Sequence, residues 1–228
     1  MIKHISFDLW LTLIQSHQDF KTKRAEYFAD GFNPLNLSLR EVFEIINNTD
    51  KACDRLNENS GAKVPAVYMY HIILKKLGFG SQNISVQVTQ EIKSKIDKLF
   101  LKLQPRFLNP MIMSMLQKLK DEGYTLNISS NTGFIESDIL VTTLKNMQIY
   151  DYFDFCIFSD AISYSKPSYQ FFHHVYRNLN LKKSEILHIG DNYIADYEGA
   201  ARFGFNALHI TNSQYTINDI TDYIHKNN

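Results

Sequence analysis

The chain has 228 residues, 44% of them hydrophobic and 21% charged, with 24 acidic side chains against 24 basic ones. This is the composition of a globular protein with a sizeable core, and its neutral balance leaves no electrostatic footprint for nucleic acid or an anionic membrane surface. No run approaches the roughly 20 uninterrupted apolar residues of a membrane span.

Two cysteines, Cys53 and Cys156, lie in unlike segments. They suit reduced, buried thiols better than a disulfide framework, so the expected address is the cytoplasm. Lys3 to Ile14 reads as a short apolar strand that ends on Asp8, with Thr12 four residues further on. Asp8 interrupts the apolar run and no small-residue cleavage site follows, which argues against a signal peptide. An unpaired carboxylate at the end of a buried strand is costly, so a cation is expected to meet it. The candidates are Lys166 and a metal held between Asp8 and the Asp191/Asp196 pair.

From residue 15 to 105 the pattern is helical. A surface helix is predicted over 19–29, with Phe20, Tyr27 and Phe28 set among charges. Ser38 and Glu41 have capping-box spacing and open a helix through Val42, Ile45 and Ile46 that Asn59-Ser60-Gly61 ends. A third helix follows Pro65 and stops at Gly78-Phe79-Gly80; its Tyr68-Met69-Tyr70-His71 cluster is expected to pack inside. A fourth runs from Ser85 to about Leu103, with Val88, Ile92, Ile96, Leu99 and Phe100 at helical intervals.

From Asn109-Pro110, a cap followed by proline at the first helical position, helices and strands alternate. Helix 110–122 leads to strand 124–130, helix 135–147 to strand 155–158, helix 168–178 to strand 186–189, and helix 194–203 to strand 207–210. A short helix from Ile217 closes the chain. Such alternation with short connections indicates parallel βαβ units, hence an α/β fold with a doubly wound parallel sheet. The first strand belongs to that sheet. The expected division is therefore an α/β core of 1–14 and 106–228 and an inserted all-helical domain of 15–105.

Ligands of doubly wound sheets bind beyond the carboxyl ends of the strands, where strand order reverses. Four polar sets fall at such ends: Asp8 and Thr12; Ser130, Asn131 and Thr132; Lys166-Pro167; and Gly190-Asp191-Asn192 with Asp196. Each set alone occurs widely for structural reasons. Their order and shared location carry the signal.

Phe7-Asp8-Leu9-Trp10-Leu11-Thr12, Ile128-Ser129-Ser130-Asn131, Ser165-Lys166-Pro167 and His188-Ile189-Gly190-Asp191, continuing to Asp196, resemble in order the four motifs of the haloacid dehalogenase superfamily. The helical insertion between the first and second motifs resembles that superfamily's helical-cap branch. The resemblance implies a Rossmann-type core and hydrolysis through an aspartate nucleophile, Asp8, with Mg²⁺ as cofactor. Asp8, Asp191 and the backbone carbonyl of Trp10 would hold the metal, with Asn192 and Asp196 orienting the site from behind. Ser130, Asn131 and Lys166 would bind the substrate phosphoryl group, and Thr12 would steady the loop. The substrate would be a small phosphorylated molecule, bound by a monomer or a homodimer with neither nucleic acid nor membrane as partner.

One position departs from the pattern. The phosphatase branch carries an acid two residues after the nucleophile, and here it is Trp10, whose indole donates one hydrogen bond and does not titrate usefully. Besides a phosphatase with an altered proton-transfer step, this leaves a 2-haloacid dehalogenase-like hydrolase or a non-catalytic binding protein. The dehalogenase branch, by resemblance, has an aromatic residue at that position but lacks the first acid of the fourth motif, which Asp191 retains. His17 lies close enough to the first motif to be a substitute proton carrier. His173-His174 are expected on a helix surface, and His188 in the core. Arg24, Lys21 and Arg40 are either substrate-anion ligands or solvated.

Overall fold

The computed structural model of the chain describes residues 1–210 and 219–227. Five parallel strands form its spine: β1 (His4–Phe7), β4 (Thr125–Ser130), β5 (Phe155–Phe158), β6 (Ile186–Gly190) and β7 (Asn206–His209), in the order β5-β4-β1-β6-β7. After β1 the chain builds outward through β4 to β5, then returns to the other side of β1 for β6 and β7. The order therefore reverses at β1, with the ends of β4 and β6 beside it. The register pairs Phe7 with Ile128 on one side and Ile189 on the other, so Asp8, Ser129-Ser130 and Gly190-Asp191 finish along one edge.

Helices cover both faces. Ile5, Phe7, Leu126, Ile128, Leu187 and Ile189 pack in one cluster with α5 (Ile112–Asp121), α6 (Ser137–Asn146) and α10 (Ile220–Asn227). Opposite, α8 (Tyr169–Tyr176) and α9 (Gly199–Phe203) pack a second cluster around Phe172, Val175 and Phe203. The expected onset of the last helix at Ile217 lies outside the described residues.

Two short strands, β2 (Ile14–Gln15) and β3 (Arg106–Phe107), pair antiparallel. Between them lie α1 (Phe20–Gly31), α2 (Leu39–Ser60), α3 (Ala66–Lys76) and α4 (Val86–Lys102). The capping box forms: the Glu41 amide donates to Ser38 Oγ and the Ser38 amide to Glu41 Oε2. At the other end of α2, Gly61 takes a left-handed conformation (φ +70°), and a Cβ there would meet Ser168 Cβ at 2.8 Å. Phe28 and Tyr70 stack with centroids 6.2 Å apart, and Tyr70 meets Phe134 at 5.2 Å, so the helices share the core of the sheet's first face.

Several expectations are corrected. Helix α1 is not a solvated surface helix: Phe20, Arg24, Ala25 and Phe28 are buried, and the charge within that stripe hides its apolar period. Tyr68 is exposed while Met69 and Tyr70 pack, because it falls outside the stripe that Ala66, Met69, Tyr70, Ile73 and Leu74 form at helical spacing. Helix α5 begins at Ile112, after a turn in which Asn109 Oδ1 accepts from the Met111 amide. The helix expected over 194–203 opens as a π-helical turn, Tyr193–Glu198, before α9. The β2–β3 pair and α7 (Ser159–Ile162) are too short for a periodic signal.

Candidate active site

The strand β1 alternates His4-Ile5-Ser6-Phe7-Asp8, and side chains alternate faces along a strand. Ile5 and Phe7 point into the first cluster, leaving His4, Ser6 and Asp8 on the opposite face, where all three are also buried. Asn127 and Ser129 of β4 and His188 of β6 join them in one hydrogen-bonded chain. His4 Nδ1 meets Thr125 Oγ1 at 2.7 Å and His4 Nε2 meets Asn127 Oδ1 at 2.8 Å. Asn127 Nδ2 donates to Ser129 Oγ, which pairs with Ser6 Oγ at 2.8 Å. Ser6 in turn lies 3.0 Å from His188 Nδ1, whose Nε2 is 3.2 Å from Asp196 Oδ1. A carboxylate only accepts, so the neutral His188 ring donates through Nε2 and accepts at Nδ1 from the Ser6 hydroxyl.

Burial pushes the His4 ring down to about 4, with Asn127 opposing, and burial likewise lowers His188 against the pull of Asp196. Both are neutral near pH 7. His188 does occupy the core, as the sequence leads one to expect, and it also orients a site carboxylate.

That chain ends at an ammonium with all three donors committed. Lys166 Nζ donates to Asp8 Oδ1 at 2.7 Å, Asp196 Oδ1 at 2.6 Å and the Ser129 carbonyl at 2.7 Å. Lys166 and Asp196 are each 1% exposed and Asp8 6%. Burial lowers the Lys166 pKa, but the charges of Asp196 and Asp8 more than reverse this and hold it charged. For Asp196, burial acts upward, and Lys166 and His188 outweigh it and hold the carboxyl well below the usual range. Asp8 goes the other way: burial, opposed by Lys166 and reinforced by Asp196 and Asp191, pushes it up to about 7. Asp191 is raised to about 6, by burial first and then by Asp196. Three carboxylates thus face a single ammonium.

Close packing depends on Gly190, where an added Cβ would lie 2.2 Å from Asp196 Oδ2. That oxygen accepts from the Asn192 amide, and Asn192 Oδ1 caps the π-turn by accepting from the amides of Ile194 and Ala195. Asn131 grips the main chain of Lys166 from both sides, accepting from its amide at 2.8 Å and donating to its carbonyl at 3.0 Å. In the turn after Asp8, Leu11 takes a left-handed φ of +56°, uncommon for a residue with a branched side chain.

Asp8, Trp10, Asn131, Lys166, Asp191, Asn192 and Asp196 line a common cavity of about 530 Å³. Ser130 and Thr12 do not line it. Ser130 is fully buried and donates to the Asn131 carbonyl, and the buried Thr12 hydroxyl has no partner among the described residues. Trp10 is half-buried in the wall, edge-on to Phe100 at 6.0 Å between centroids. His17 instead accepts from the Asp19 amide and lies outside the cavity lining. The roof is helical: Lys21 and Arg24 of α1, and Asp50, Asp54 and Glu58 at four-residue intervals on α2. Glu58 reaches across to the edge of the sheet, accepting from Asn192 Nδ2 at 2.7 Å. Arg40 does not reach this roof.

Sequence reasoning missed Ser6, Asn127 and Ser129. Their signal is a polar alternation in strands whose two faces are both covered, where parallel strands ordinarily read as continuous apolar runs.

Comparison with known proteins finds relatives in sequence and in fold. The chain is 29% identical over 118 residues to glyceraldehyde 3-phosphate phosphatase from Methanothermobacter thermautotrophicus, a match that covers 52% of the chain and 50% of that relative. It is thus matched to about half that relative's length. To the enzyme of the same name from Methanocaldococcus jannaschii it is 26% identical over 217 residues, 94% of the chain and 87% of the relative. In fold it resembles a HAD phosphatase from Thermococcus onnurineus, with a TM-score of 0.70, 18% identity and 98% coverage of each chain. The family model for haloacid dehalogenase-like hydrolases matches residues 5–210, a span that holds the whole lysine-bridged carboxylate cluster. The chain belongs to the haloacid dehalogenase-like hydrolase family.

Proposed function

We propose that the protein is a Mg²⁺-dependent phosphohydrolase that acts on a small phosphorylated molecule through an aspartyl-phosphate on Asp8. The observation that carries this reading is the Lys166 bridge, 2.7 Å from Asp8 and 2.6 Å from Asp196. It holds Asp8 ready to attack while leaving the cluster with more negative charge than one ammonium balances.

The cluster suits a hard divalent cation. Asp8, Asp191 and Asp196 each offer an oxygen, all within 4.8 Å of one another, and an all-oxygen set is what Mg²⁺ prefers. The raised Asp8 and Asp191 pKa values mark the charge such an ion would offset. Asp8, Asp191 and the Trp10 carbonyl would hold it, while Lys166 and His188 keep Asp196 as support from behind. When bound, Mg²⁺ supplies positive charge to the phosphoryl oxygens.

The chain's own residues do the rest. The free oxygen of Asp8 attacks phosphorus, the ester oxygen leaves, and water then cleaves the acyl phosphate. Lys166 offsets charge that spreads over the phosphoryl group, and Asn131 fixes Lys166 in place. Ser130 supports the turn that presents the amides after β4. Residues 15–105 act as a cap that roofs the cavity and excludes water. With Trp10 where an acid is expected, the leaving oxygen has no acid two residues from Asp8 to protonate it, so aryl phosphates turn over faster than alkyl phosphates.

Mg²⁺-dependent phosphate release from p-nitrophenyl phosphate tests this reading. It is expected to vanish in Asp8→Asn and with EDTA; release that survives Asp8→Asn rejects Asp8 as the nucleophile. The aromatic wall formed by Trp10 and Phe100 favours one second reading, dehalogenation of a short 2-halo acid. It predicts halide release that persists in EDTA.

A further inference from the structure

Arg24 is 3% exposed, yet its guanidinium forms no hydrogen bond to any described residue, and its Nε is buried without a partner. The one carboxylate paired with it among the described residues, Asp50, stands 3.7 Å away, beyond hydrogen-bond reach. What holds it is aromatic: its Cζ lies 4.5 Å from the ring centroid of Phe134 and 5.5 Å from that of Phe20. A buried donor left unmet costs about 1–3 kcal/mol, so packing alone does not account for an arginine here. Methionine would fill the same stem volume without that cost.

The location accounts for it. Arg24 lines the cavity that Asp8 and Lys166 line, and Phe134, on which it rests, follows Ser130 by four residues in the turn after β4. On the phosphohydrolase reading, the cavity that begins at Asp8 and Lys166 and takes in Arg24 also holds the remainder of the substrate. We infer that Arg24 sets specificity by receiving a carboxylate carried at the far end of the phosphorylated substrate, in place of its loose contact with Asp50.

The guanidinium fork matches a carboxylate with two parallel hydrogen bonds. A monoanion fits better than a second phosphate, because Asp50 and Glu58 line the same roof and repel a dianion more strongly. The inference rests on the phosphohydrolase reading and names its substrate class, a phosphorylated carboxylic acid.

Matched ligand pairs test it. The Asp8→Asn protein, in which transfer to the nucleophile is blocked, is titrated calorimetrically with phosphooxyalkanoates of increasing chain length, each beside the alkyl phosphate of equal length. At the length that reaches Arg24, the acid is expected to bind about tenfold tighter or better than its alkyl partner. Adding Arg24→Met should bring that ratio to about one, with Arg24→Lys in between. Asp50→Asn, which removes the competing anion, should raise the ratio through Arg24; an equal rise in the Arg24→Met/Asp50→Asn double variant would mark only the general loss of negative charge from the cavity and count against the inference. Equal affinity within every pair, or a preference that persists in Arg24→Met, overturns the inference while leaving the phosphohydrolase reading intact. Should Arg24→Met not fold, Arg24→Lys decides: an acid preference undiminished by loss of the planar fork overturns the inference. Absence of binding by any phosphate ester, together with absence of turnover in the unmodified protein, overturns both.

Discussion

Replacing Trp10 with Asp places a titratable group two residues beyond Asp8, the proposed nucleophile, in the lining of the cavity that Asp8 and Asp191 share. The substitution has a structural cost. Trp10 is half-buried and meets Phe100 edge-on; losing roughly 100 Å² of buried apolar area at about 25 cal/mol per Å² amounts to about 2.5 kcal/mol, and the aromatic pair adds about 0.5–1.5 kcal/mol. A loss near 3 kcal/mol lowers Tm by roughly 6–12 °C in a chain of this size but leaves a typical domain folded. Against that, a positioned acid and base contributes about 10²- to 10⁴-fold to rate. The variant should therefore hydrolyse alkyl phosphates about 10²-fold faster or more, with a smaller gain on p-nitrophenyl phosphate, whose leaving group needs no proton. Steady-state phosphate release with and without Mg²⁺, beside a thermal melt, measures both effects. A variant that is folded, binds Mg²⁺ and gains nothing on any ester refutes the claim that the missing acid limits turnover.

Lys166→Met leaves Asp8 and Asp196 facing each other without their shared cation. Breaking a buried pair of this kind costs about 3–5 kcal/mol, so the melt should drop and phosphate release should disappear; an unchanged Tm would show that the bridge contributes nothing. The Mg²⁺ effect on stability should depend on pH with a fixed sign. The folded-state pKa values of Asp8 and Asp191, about 7 and about 6, lie above the unfolded carboxylate value, so the metal-free fold retains protons that the unfolded chain releases, and these two groups make stability fall as pH rises from about 4 to 7. On the proposed reading Mg²⁺ displaces those protons, so its stabilisation should grow from pH 5 to pH 8. The buried His4 and His188 act in the opposite direction with or without the ion and cancel in the difference. A Tm increment from Mg²⁺ that is flat or shrinks over that interval would show that the ion does not compete with protons at these carboxylates.

Much of the site is legible along the chain because its residues sit at the ends of parallel strands. Once helices and strands alternate with short connections, every strand points the same way, and Asp8, Asn131 and Asp191 must finish on one edge. The helical block was legible for a similar reason: the Ser38 box, the left-handed Gly61 and the 3.6-residue stripes of α2 and α4 are local signals. What escaped were departures from period. Arg24 interrupts the apolar stripe of α1, the π-turn of Tyr193–Glu198 has no distinct spacing, and the buried polar ladder from His4 to His188 resembles the alternation of a half-solvated strand.

Sequence by itself therefore determined the parallel sheet, the helical insertion and the set of polar residues at the strand ends, since each follows from periodicity and chain direction. Tertiary structure alone decided which of those residues touch. Lys166 meets Asp8 across 158 positions of sequence, Asn131 spends its amide on the Lys166 main chain, Ser130 turns away from the cavity, and Trp10 serves as a wall. Local pattern specifies which way a side chain faces on its own element, whereas the partner it meets depends on how distant elements pack, and that is fixed only when the helices close over the sheet.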